Sequence, residues 1–119
     1  MAKIIIVEDE AIVAMATRMM LKNLEHEIVG NSATAEQAVT EIVEKDVDLV
    51  LMDIKLKGLM DGIQAAEEVR KNKNTPILFI TGNSDAKTRQ RILNISNAHM
   101  IQKPVMMEDL KLALHKLLN

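Results

Sequence analysis

Five short runs of aliphatic and β-branched residues punctuate the chain: Ile4-Ile5-Ile6-Val7, Ile28-Val29, Leu49-Val50-Leu51-Met52, Ile77-Leu78-Phe79-Ile80 and, more weakly, Ala98 to Ile101. The central runs lack polar alternation, as expected of strands covered by helices on both faces. The segments between them carry apolar residues at helical spacing. The first is expected to turn Ile12, Val13, Ala16, Met19, Met20 and Leu24 inward, and the second Ala35, Ala38, Val39, Ile42 and Val43. The third uses Ile63, Ala66 and Val69, and the last Leu110, Ala113, Leu114, Leu117 and Leu118. The fourth, Asp85 to Asn94, is polar, with Ile92 and Leu93 as its anchors. Five strands alternating with five helices predict an α/β domain around a parallel sheet. The longest loop runs from Ile54 to Asp61 and carries Gly58. The last helix is expected to reach the final residue, giving one domain over residues 1–119 with no output domain behind it.

Composition narrows the function classes. Of 119 residues 48% are apolar, enough for one core, and 15 basic against 17 acidic side chains leave a net charge of −2. With no basic excess, no direct DNA binding is expected. The absence of cysteine excludes a disulfide scaffold, a thiolate metal site and a thiol nucleophile. The first apolar run is too short for a signal peptide or a membrane span, so a cytoplasmic setting is expected. One Phe, no Tyr and no Trp argue against stacking platforms for bases. Nine methionines are read as ordinary packing, with Met19 in the core, Met15 exposed, and Met106 and Met107 opening the last helix. His26, His99 and His115 share no metal-ligand spacing, and Arg89 and Arg91 are expected on a solvated face.

In an open parallel sheet, ligands bind beyond the carboxyl ends of the strands. There the first strand ends in Glu8-Asp9, the third in Asp53, the fourth in Thr81-Gly82 and the fifth in Lys103-Pro104. Each alone has a plain structural use, such as a helix cap or a turn. Together they bring three acids, a hydroxyl and an ammonium to one rim. Two carboxylates ~5 Å apart repel by roughly 3 kcal/mol at an effective dielectric near 20. Lys103 supplies one compensating charge, and a hard cation such as Mg²⁺, or Mn²⁺, would supply the rest. Such a pocket suits phosphoryl transfer, with Asp53 as nucleophile and Lys103 neutralising phosphoryl oxygens. The Thr81 hydroxyl and the backbone N–H of Gly82 or Ile54 would donate to those oxygens.

These motifs, with the Asp61-Gly62 opening of the third helix, resemble the receiver domain of two-component response regulators over essentially the full length, in a stand-alone, chemotaxis-regulator-like form. The resemblance implies a flavodoxin-like (βα)5 fold with strand order 2-1-3-4-5. It implies that Asp53 accepts a phosphoryl group from the phosphohistidine of a sensor histidine kinase or phosphotransfer protein. It places Mg²⁺ on Glu8, Asp9, Asp53 and the carbonyl of Lys55, pairs Lys103 with Asp53 or the phosphoryl group, and makes Thr81 the switch hydroxyl. It further implies a cis Lys103–Pro104 bond and signal output to a downstream protein through the face made by helix four, strand five and helix five.

Three positions depart from the common pattern: Glu8 stands where Asp is more usual, Met100 where many receivers carry an aromatic switch residue, and Val105 where Phe is frequent. Thr81 and the loop after strand four are therefore expected to carry the switch, with Met100 as filler. A phosphatase of the haloacid dehalogenase type would place a second Asp two residues after the nucleophile, but Lys55 stands there. The expectation is a switch that loses its phosphoryl group slowly, not a turnover enzyme. A flavin site would be repelled by Glu8-Asp9-Glu10, and a pseudo-receiver would have lost an acid or the Lys, which this chain retains.

Overall fold

The computed structural model describes residues 1–82 and 85–118. The chain alternates β1 (Lys3–Val7), α1 (Ala11–Asn23), β2 (Glu27–Ser32), α2 (Ala35–Glu44), β3 (Leu49–Asp53), α3 (Gly62–Arg70), β4 (Ile77–Thr81), α4 (Ala86–Leu93), β5 (Ala98–Gln102) and α5 (Met107–Leu118). All strand pairs are parallel, in the order β2-β1-β3-β4-β5. This is the flavodoxin-like arrangement that the sequence predicts.

The three inner strands feed two cores by simple alternation. Ile5, Val7, Val50, Met52, Ile77 and Phe79 point to one face, where Ala38 and Ile42 of α2, Ile63, Ala66 and Val69 of α3, and Ile92 of α4 cover them. Ile4, Ile6, Leu49, Leu51, Leu78 and Ile80 point to the other, under Leu21 of α1 and Leu110, Ala113 and Leu114 of α5. Burial on both faces explains why these strands read as continuous apolar runs.

The structure corrects several expectations. In α1 the buried residues are Ala14, Thr17 and Leu21, with Met20 and the C-cap Leu24 packed against the core as expected, while Ala16 is exposed and Ile12 and Met19 are 82% and 62% exposed. The helix is apolar almost all round, so periodicity alone could not choose its face. Met15, at 62% exposed, lies outside as expected. In α4 only Ile92 is buried, and Leu93 is 76% exposed. Strand β2 extends well beyond Ile28-Val29, because backbone pairing with β1 continues to Ser32 past a register shift. The final residue, Asn119, lies outside the described residues, so the expected end of the last helix is observed as far as Leu118. Met106 is exposed and α5 opens at Met107. His99 lies exposed on β5, and the Nδ1 of half-buried His26 accepts the Ala2 N–H at 3.0 Å. Among the described residues, no helix is long and apolar enough to cross a membrane.

Candidate functional site

Strand register assembles the rim. Val7 pairs with Met52, which sets Glu8 beside Asp53 as both strands end. Asp53 pairs with Ile80, leaving Thr81 one step beyond. Thr81 pairs with Gln102, and the next N–H, that of Lys103, donates to the Thr81 carbonyl at 2.8 Å. The Lys103–Pro104 bond is cis.

Lys103 is the centre of the charge arrangement. Its Nζ lies 3.0 Å from Asp53 Oδ2 and 3.6 Å from Glu8 Oε1. Asp53, Glu8 and Thr81 are buried, Asp9 is half-buried, and Glu10 is exposed. Burial pushes Glu8 up to about 7, and the nearby charge of Asp53 and hydrogen bonding with it add to the rise. The Glu10 N–H, which donates to Glu8 Oε2 at 3.1 Å, and the charge of Lys103 oppose it without cancelling it. For Lys103, burial alone would lower the ammonium. The hydrogen bond and charge of Asp53, then the charges of Glu8 and Glu10, outweigh this and raise it above its ordinary value. Lys103 therefore stays charged, and the group poised near neutrality is Glu8.

The acids that precede α1 are not spent on capping it. The N-cap of α1 is Glu10, which makes no side-chain cap hydrogen bond, and the first turn of the helix holds no acid. Instead, one carboxylate oxygen from each of Glu8, Asp9 and Glu10 lies within 4.8 Å of the others. Glu10 thus joins the acids that the strand-end argument selects, and its signal was visible as the third member of an acidic run. The donor set is carboxylate oxygen, with no imidazole or thiolate in it, and fits a hard divalent ion such as Mg²⁺.

The loop after β3 is closed at its base. The Gly62 N–H donates to the Ile54 carbonyl at 2.8 Å. A Cβ on Gly62 would collide with the Asp53 carbonyl oxygen and stand 3.0 Å from Ile54 Cα, so only glycine lets α3 start so close to the acid strand. Asp61 caps α3 in a reciprocal box with Gln64: its Oδ1 accepts the Gln64 N–H at 2.8 Å, and its own N–H donates to Gln64 Oε1 at 2.8 Å. Arg91 is not simply solvated. Its guanidinium pairs with Asp61 at 3.0 Å and 3.3 Å, tying α4 to this turn. Lys55 is exposed beside Asp53, Ile54 is buried, and Gly82 is exposed with nothing within 4 Å of where a Cβ would stand. Met100 is half-buried against the core. The loop expected to carry the switch continues through residues 83 and 84, which lie outside the described residues.

The family model described as response regulator receiver domain matches residues 4–115. The transcriptional regulatory protein PdtaR of Mycobacterium tuberculosis is 32% identical over 108 residues, 91% of this chain and 52% of its own length. The chain thus spans about half the length of the curated relatives it matches. Among solved structures, the signal receiver domain of a modulated diguanylate cyclase from Desulfovibrio desulfuricans is 30% identical with a TM-score of 0.90, covering 99% of this chain and 94% of that one. The receiver domain of a sensor histidine kinase from Pseudomonas aeruginosa, with a magnesium ion coordinated in its active-site cleft, is 28% identical with a TM-score of 0.87, covering 98% of this chain and 97% of that one. Fold, strand-end residues and family match agree, and the chain belongs to the response regulator receiver domains of two-component signalling systems.

Proposed function

We propose that this receiver domain accepts a phosphoryl group on Asp53 from the phosphohistidine of a sensor histidine kinase or phosphotransfer protein. The observation that carries the reading is a buried carboxylate held by an ammonium at 3.0 Å at the end of the central strand. An Asp53 oxygen attacks phosphorus, the P–N bond breaks, and the imidazole leaves with the electron pair and takes up a proton. Lys103 then faces the new phosphoryl oxygens, and the Thr81 hydroxyl and the N–H groups of Ile54 and Gly82 are the candidate donors to them. Glu8, Asp9, Asp53 and the Lys55 carbonyl would hold Mg²⁺, which when bound neutralises charge on the transferring group. Mn²⁺ offers the same hard-ligand chemistry.

Lys55 occupies the place where a phosphatase of the dehalogenase type keeps its general acid/base, and a protonated ammonium cannot activate water. The acyl phosphate is therefore long-lived, and the domain works as a switch and not as a turnover enzyme. A donor helix has a fitting approach. An apolar groove formed by Ile12, Val13, Ala16, Met20, Pro104 and Val105 runs up to Lys103. Output to a downstream protein would use the face of α4, β5 and α5, where Leu93 and Leu112 stand exposed. Direct DNA contact by this domain is not expected from its charge.

The test is modification by acetyl phosphate or beryllofluoride with Mg²⁺, with and without Asp53→Asn. The wild type should be modified, EDTA should abolish modification, and the variant should show none. A variant modified as fully as the wild type would place the nucleophile elsewhere.

A further inference from the structure

The loop between β3 and α3 is gripped from outside the acid site by the first turn of α2. Its tip, Leu59, is fully exposed, while its base is closed by the Gly62 N–H on Ile54. Between base and tip, Glu36 Oε1 accepts the Met60 N–H at 3.0 Å. The same carboxylate lies against Gly58, where φ is +106° and a Cβ would stand 2.8 Å from Oε2. An isolated parallel bridge also joins Lys57 to Thr34, the N-cap of α2. The helix N-terminus thus holds residues 57 and 60 of the loop, with the Glu36 carboxylate lying close against Gly58 between them. The helix dipole already favours an acid at this position, so Glu36 needs no loop contact to serve the helix. The contact serves the loop.

Chain order shows what the grip reaches. Lys55 follows Asp53-Ile54 directly, and its peptide lies in the stretch between the closed base and the held residues. We propose that Glu36 is a positioning residue for the acid site: by fixing the main chain of residues 57–60 it orients the Lys55 carbonyl toward the bound cation. This rests on the reading of Glu8, Asp9, Asp53 and Lys55 as the Mg²⁺ ligands. A carbonyl held in place before the ion arrives loses less freedom on binding, which is the general advantage of preorganisation.

The experiment is a Mg²⁺ titration followed by NMR amide shifts, with hydrogen exchange of the Met60 amide, on the wild type, Glu36→Ala, Glu36→Gln and Asp9→Asn. Glu36→Ala should weaken Mg²⁺ binding at least threefold and speed exchange at Met60. Glu36→Gln keeps a side-chain acceptor for the Met60 N–H and should restore most of both. Wild-type affinity and exchange in Glu36→Ala would overturn the proposal. So would a Glu36→Gln as weak as Glu36→Ala, because the effect would then be the distant charge alone. If the wild type shows no saturable shift that Asp9→Asn removes, the cation-site reading itself fails, and the proposal falls with it.

Discussion

Glu8 is the residue whose protonation the fold changes most legibly. In the unfolded chain its carboxyl titrates near 4.5, whereas in the folded domain burial first, and Asp53 second, raise it to about 7. The folded state therefore holds a proton that the unfolded state has released between these values. Its contribution to stability is full below pH 4.5 and is lost as pH rises through 7. The loss is on the order of 3 kcal/mol without metal. Lys103, raised and charged throughout this range, adds no slope of its own there. Urea unfolding in EDTA at pH 5 and pH 8 should show the wild type losing more stability than Glu8→Gln over that interval. Equal losses would mean that Glu8 titrates normally. At this scale the sequence supplied the identity of every group at the rim but Glu10, which the structure adds. The poise of Glu8 needed coordinates, because desolvation depends on what the neighbouring strands exclude.

Elements are where reading by pattern succeeded unevenly. The start of α3 was legible: Asp61 and Gln64 have the spacing of a capping box, and Gly62 follows the cap. What pattern could not show is that Gly62 sits against the carbonyl of Asp53, residues that only the β3–α3 turn brings together. Gly62→Ala sets a small gain in helix propensity, ~1 kcal/mol at most, against a backbone collision that costs roughly 1–3 kcal/mol. The clash should win. The expected result is a lower urea midpoint with an unchanged m-value, together with weaker Mg²⁺ binding, since the turn that holds Asp53 must shift. A variant as stable as the wild type would show that the turn yields without cost. For α1 the pattern misled, because Ile12 and Met19 make as good a helical stripe as Ala14, Thr17 and Leu21. The inward face was settled by packing on the sheet, a tertiary criterion.

The whole molecule concentrates like charge at one end of its sheet, and folding is what brings it together. The unfolded chain spreads Glu8, Asp9 and Asp53 apart, so a cation that binds all three stabilises the native state alone. At a hundredfold excess over its dissociation constant Mg²⁺ should add ~2.7 kcal/mol. Thermal unfolding with tens of millimolar Mg²⁺ should show a raised midpoint, and Asp9→Asn should remove most of the rise. An unmoved midpoint in the wild type would deny the shared site. The order of chemistry along the chain was determined by the sequence itself. Strand length alone puts Glu8, Asp53, Thr81 and Lys103 at successive strand ends, and a parallel sheet sends all those ends to one rim. Only the tertiary structure decided that Lys103, besides pairing with Asp53, would also reach Glu8, that Arg91 would hold Asp61, and that Glu36 would hold Met60. These contacts join residues separated by 95, 30 and 24 positions. No local spacing encodes such pairs. They follow from strand order across the sheet, which sets the strand ends side by side, and from where the packing of each helix's buried face carries its ends.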